Sequence, residues 1–245
     1  AIGNAATNDL NFNSTIYSFN GATTITAKSG DTIDLGAGAA TQFLTSNDNI
    51  TFATGNIELA NGSNLTVDTG AEGGNITIGE IDGASQETVT LDAGTGTTSV
   101  GVIGSGTEIG VLTIGSSDNG GITLNGAITT DGAVTIDGPV TLATGAVSVT
   151  TANDAISFNH SIDGGQTLTL SSGSAAITFT GALGASTSLG GLTVNSAGAG
   201  NITFSSTIGD AENAGVVGTT AIGNAATNDL NFNSTIYSFN GATTI

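Results

Sequence analysis

The sequence predicts an all-β chain wound as a parallel β-helix, or β-solenoid, with about 22–25 residues per coil. Three observations carry this. A long segment recurs letter for letter, short apolar runs of period 2 recur at a finer and looser spacing, and turn residues separate the runs with no helical period between them. Residues 1–25 read AIGNAATNDLNFNSTIYSFNGATTI, and residues 221–245 read the same. Repetition decides architecture before any local pattern does. The offset defines one solenoid unit over residues 1–220, with residues 221–245 as the start of the next identical repeat. Units that follow one another without a linker share one continuous core.

The strands follow from a motif of a small residue, Ile or Leu, Thr/Ser/Asn, then Phe, Leu or Ile. It runs as Asp9-Leu10-Asn11-Phe12, Asn49-Ile50-Thr51-Phe52, Asn75-Ile76-Thr77-Ile78 and Gly121-Ile122-Thr123-Leu124, then Ala155-Ile156-Ser157-Phe158, Ala176-Ile177-Thr178-Phe179 and Asn201-Ile202-Thr203-Phe204. A second strand type lies between these: Leu65-Thr66-Val67, Val89-Thr90-Leu91, Leu112-Thr113-Ile114, Val134-Thr135-Ile136, Leu168-Thr169-Leu170 and Leu192-Thr193-Val194. In each run two apolar side chains share one face and the hydroxyl takes the other. β-Branched and aromatic residues at the apolar positions favour strand. Asp82-Gly83, Asp131-Gly132, Asp137-Gly138 and Asp163-Gly164 are turn signals. Regular short strands also fit a sandwich, but the same residue types recurring once per coil fit a stack. Nine or ten coils per unit, at ~4.8 Å each, advance the axis by about 45–50 Å. On this reading Phe12, Phe52, Phe158, Phe179 and Phe204 form one interior column. Asn residues before strands occupy corners, where they adopt αL geometry and bond to neighbouring coils.

Composition narrows the function. Twenty acidic residues face one basic residue, Lys28, for a net charge of −19. Nucleic-acid binding needs Lys and Arg to neutralise phosphates, so that class is excluded as a partner. An anionic membrane surface is disfavoured for the same reason. No apolar run approaches the ~20 residues that span a bilayer, and no leader pattern opens the sequence, as expected of a mature or excised segment. The absence of Cys removes disulfides and thiolate metal sites. At 38% hydrophobic residues, gathered in short runs, the chain buries a core despite its charge.

Candidate chemistry is sparse, and no enzymatic activity is expected. His160 is the single His and Lys28 the single cation, so neither has a partner base or nucleophile of its own kind. Stacked carboxylates repel unless screened or bridged, and Ca²⁺ takes carboxylate and carbonyl oxygens. Asp82, Asp137 and Asp163 share an Ile-Asp-Gly context and are the calcium candidates if they fall on one edge. No EF-hand loop or calcium-binding nonapeptide is present, and Asp-Gly turn chemistry with solubilising charge is the favoured reading of these residues. Thr24/Thr26, Thr88/Thr90 and Thr167/Thr169 form outward pairs that do not recur in every coil, unlike an ice-binding array. The Asn-x-Ser/Thr triplets at Asn13, Asn49, Asn64, Asn75 and Asn201 reflect the strand motif.

Residues 154–209 read DAISFNHSIDGGQTLTLSSGSAAITFTGALGASTSLGGLTVNSAGAGNITFSSTIG. This stretch resembles the repeat regions of filamentous-haemagglutinin-like adhesins of two-partner secretion and of related autotransporter passengers. The resemblance is clearest over residues 120–210. It implies a right-handed parallel β-helix, export across a bacterial outer membrane, and a role in adhesion or biofilm. The expected function is a repeat unit of a large extracellular structural fibre or adhesin stalk at the cell surface. Its partners are identical repeats end to end, and other fibres through divalent cations. The alternative is a glycan- or cell-binding module that uses a solenoid face, with Tyr17, Phe19 and His160 as first suspects.

Overall fold

The sequence winds into a β-solenoid of about ten turns. The computed structural model describes residues 1–36, 38–84, 86–115 and 120–245. Among these, 27 short strands and no helix are found, and the strands pair in parallel with the coil before and the coil after. Each coil has three sides. On face A an inward column runs Ile2, Ile25, Phe52, Ile78, Val100, Leu124 and Leu142. Beside Leu142 the inward Val140 leads on to Ile162, Leu183, Ile208 and Tyr237. On face B the column runs Leu10, Ile33, Ile57, Ile81, Ile103, Ile128, Val149, Leu170, Val194 and Ile222. On face C it runs Tyr17, Phe43, Val67, Leu91, Ile114, Ile136, Phe158, Phe179, Phe204 and Phe232. Faces A and B belong to one hydrogen-bonded sheet because Ile76–Asp82 and Thr98–Ile103 each run round the corner between them. Face C is a separate sheet of ten strands.

The coil length agrees with the sequence spacing. Nine steps on face C lead from Tyr17 to Phe232, an average of about 24 residues per coil, within the range of solenoid repeats. Coil length is not constant. The step from Leu124 to Leu142 is short, and the step from Ile208 to Tyr237 is long. The two strand types expected from the sequence become three sides. The recurrent Ile-Thr-Phe-like motif is not tied to one of them: it lies on face B at Leu10–Phe12, on face A at Ile50–Thr54 and Ile76–Asp82, and on face C at Ile156–Phe158. An Ile-Thr-Phe run satisfies any side equally, because all three need only two inward apolar residues around one outward polar residue.

The single phenylalanine column is therefore corrected. Phe158, Phe179 and Phe204 do stack, joined by Phe232, with ring centroids 5.8, 4.7 and 5.2 Å apart and planes within 10°. Phe12 and Phe52 stand on other faces. They meet Tyr17 and Phe43 in an edge-to-face cluster inside the first coils. Between Phe52 and Phe158 the sequence has no aromatic residue, and aliphatic side chains fill the core.

Corners are packed backbone to backbone. A Cβ on Gly96 would lie 2.1 Å from the carbonyl oxygen of Gly74 in the coil before, and one on Gly120 would lie 1.6 Å from that of Gly96. Only a residue without Cβ permits that approach. Asn residues bond between coils as expected: Asn49 Oδ1 accepts from Asn75 N at 2.9 Å, and Asn75 Oδ1 from Thr97 N at 2.8 Å. Their αL geometry is not seen. Asn47, with φ 68°, is the one non-glycine residue of positive φ among the described residues.

Candidate functional surface

Inward and outward residues alternate along each strand, so the residue between two inward ones faces outward in the same register coil after coil. On face A the outward column is Thr24, Thr51, Thr77, Ser99, Thr123 and Thr141, ending at Asp163. On face C it is Gln42, Thr66, Thr90, Thr113, Thr135, Ser157, Thr178, Thr203 and Asn231. Both are ladders made largely of hydroxyls. The sequence reading put the middle hydroxyl of each run on the outer face; the register of the coils stacks these hydroxyls into columns. The neighbouring outward positions on face C include Val111, Ala133 and Ala155, so one Thr column exists and not the two of a paired array.

Face B differs in its early coils. Asp34, Glu58 and Asp82 stand in direct register on three successive strands, with Asn11 before them. Asp82 accepts hydrogen bonds from Gly106 N at 2.8 Å and from Asn56 Nδ2 at 2.7 Å. Asp9 accepts from Thr32 N at 3.0 Å. Glu58 carries the electrostatic consequence. Partial desolvation, and then the carboxylates of Asp34, Asp82 and Asp9, hold its pKa above the usual glutamate range. A groove of about 570 Å³ beside the ladder is lined by Asp31, Thr32, Asn56, Glu58 and Glu80. This strip attracts cations, but no group of three or more His, Cys, Asp or Glu converges on a metal position among the described residues.

The three calcium candidates do not share an edge. Asp82 lies on face B, Asp137 on face C and Asp163 on face A. Asp163 Oδ1 accepts from Ser186 N and Thr187 N at 2.8 and 3.0 Å, bonds that tie it to the backbone of the next coil. Asp137 Oδ1 stands 3.4 Å from His160 Nε2, both about a third exposed. Lys28 pairs with Asp31 at 3.4 Å. The Ile-Asp-Gly context marks a strand end, and all three sides have strand ends; that is why a shared context did not mean a shared place.

The aromatic suspects are committed inward. Tyr17 stacks on Phe43 at 5.2 Å, meets Phe12 edge-on, and its Oη accepts from Ser14 N at 2.8 Å. Phe19 packs against the core. The sequence reading also missed Glu87. Its side chain is buried, and its carboxylate accepts backbone N–H bonds from Gly62, Ala84 and Gln86 at 3.0, 2.8 and 3.1 Å, tying two coils together at a corner. No motif marks it.

No protein-family model matches the chain, and neither the curated proteins nor the solved structures give a significant match.

Proposed function

We propose that this chain is the repeat unit of a long extracellular structural fibre or adhesin stalk that holds bacterial surfaces to one another or to a substratum. The observation that carries the reading is a conjunction. Parallel ladders run along all three faces from the first coil to the last, and the segment 1–25 returns as 221–245 and again forms a coil. A rod built this way resists bending through hydrogen bonds that run along its axis. The role is mechanical and non-catalytic. It is supported by a surface that offers ladders of Thr and carboxylates along a rod.

The charge has a place in this mechanism. Asp34, Glu58 and Asp82 stack on one strip, and net charge of one sign keeps rods apart in solution. Divalent cations bridging the strips of neighbouring rods are the bundling agent. Electron microscopy of native material tests the reading. Thin continuous fibres with an axial repeat of about 45 Å, the advance of one unit at ~4.8 Å per coil, are the expected result. Compact separate particles would overturn it.

A further inference from the structure

The duplicated segment folds in the same way at both places it occurs. Asn4 and Asn224 each accept a bond two residues on, at 2.8 and 2.7 Å. Phe12 meets Tyr17, and Phe232 meets Tyr237, at 4.9 Å and nearly perpendicular. Ile2 pairs with Ile25, and Ala221 with Thr244, in the same register. Yet the two copies sit on different faces. Ile2 lies on face A, whereas its twin Ile222 lies on face B over Val194. Leu10 lies on face B, whereas Leu230 lies on face C over Ile202. Tyr17 lies on face C, whereas Tyr237 lies on face A over Ile208. Nine full turns from Ile2 arrive at Ile208 on face A, so Ile222 stands nine and a third turns along.

The environments of the two copies are complementary halves. Ile25, covered by the next coil, is 0% exposed, while Ile245 is 61% exposed. A Cβ on Gly241 would lie 2.0 Å from the Gly218 carbonyl oxygen in the coil beneath. A Cβ on Gly3 would meet the Thr26 carbonyl above at 2.2 Å. The first copy therefore shows what covers the second: a coil with the sequence of residues 26–48, set as Ile33 is set on Leu10 and Phe43 on Tyr17.

We propose that the exposed edge of residues 221–245 is the docking surface for the next covalent unit, and that this unit is turned by one face, a third of a turn, relative to the one before. The proposal rests on the tandem-fibre reading and deepens it. Features on face A of one unit come to face B in the second and face C in the third. The acidic strip of Asp34, Glu58 and Asp82 thus faces three directions in succession. It returns to the same side after three units, 28 coils or about 134 Å at ~4.8 Å per coil. The rod has no single sticky side, and neighbouring rods of the same chain meet its acidic strip from all around.

Lys28 supplies the test, because it is the single Lys or Arg in the sequence and is exposed. Native fibres are labelled with an amine-reactive gold cluster and imaged in vitreous ice, and the coil-to-coil twist measured in the same map is subtracted. The expected result is one label about every 45 Å, stepping by one face each time. Labels at that interval along one side overturn the one-face rotation and leave the fibre reading standing. Labels without regular interval overturn both. A second measurement uses the present chain, which has no Cys. Thr203→Cys with Asn231→Cys joins positions in direct register on adjacent strands and is expected to cross-link nearly fully on mild oxidation, within disulfide reach. Asn195→Cys with Asn231→Cys is the pair that a unit of whole turns would bring together, because it would seat Leu230 on face B over Val194. Cross-linking of the second pair but not the first overturns the proposal.

Discussion

Phe179 has an aromatic ring stacked on each side, Phe158 and Phe204, and is almost fully buried. Phe179→Ala removes both contacts and leaves a cavity that stiff neighbouring ladders cannot close. The expected loss is about 3–5 kcal/mol, read from the urea midpoint. Glu58 acts in the opposite sense. Its pKa is raised in the folded state, so the folded chain holds the proton more tightly than the unfolded chain. Stability therefore falls as pH rises through the window between the ordinary and the raised values. Glu58→Gln is expected to raise the melting temperature at neutral pH, with the gain vanishing once the pH drops below the ordinary glutamate range. A gain that is the same at every pH would rule out titration as its cause. Asp210 supplies the contrasting sign. Backbone N–H groups of Asn213 and Glu212 hold its pKa down, so its contribution is present above the ordinary aspartate range and is lost as pH falls through the lowered value.

At the scale of the element, a strand here is hydrogen-bonded to a coil on either side. Leu112–Gly115 is bounded by Val89–Asp92 and Val134–Asp137. Proline in such a strand removes a ladder donor. The one natural proline, Pro139, obeys this limit. It stands at the corner before Val140–Leu142 and offers only its carbonyl, which accepts from Ile122 N at 2.8 Å. Thr113→Pro is expected to cost about 3 kcal/mol or more. Hydrogen exchange should rise in the coils on either side while distant coils stay protected, because each coil contacts only its neighbours. Uniform exchange along the whole chain would show instead that the solenoid melts as one unit.

The whole molecule is a stack in which each coil covers the strand edges of the one before, and covered edges do not invite pairing with other chains. All the aromatic residues lie within residues 12–52 and 158–239, so in a tandem rod they gather on both sides of each junction. Large stacked rings contribute more burial per coil than aliphatic side chains, and the junction is where successive units must hold. Lateral association belongs to this scale too. Millimolar Ca²⁺ or Mg²⁺ is expected to gather rods into bundles that EDTA disperses, followed by light scattering. Bundles that survive EDTA would remove cation bridging of the acidic strip as their cause. With strips facing three directions, the bundles should be thick in cross-section and not flat ribbons.

Much of the fold was legible because a solenoid writes its geometry into spacing. Inward residues recur every coil, and outward polar residues sit between them, so coil length and β-class follow from period alone. The third side was not legible. Short runs such as Asn56–Leu59 and Ile128–Thr130 resemble the other two sides, and coils of unequal length let the same motif slip from face to face. Hence Asp82, Asp137 and Asp163 looked alike in sequence and fell on three faces, whereas Asp34, Glu58 and Asp82, which likewise each follow an Ile, stand in one ladder. By itself the sequence determined that an identical coil returns, residues 1–25 as residues 221–245. Only the tertiary structure decided that it returns a third of a turn out of phase, because phase is the sum of every corner and bulge along the way, and no local pattern records a sum.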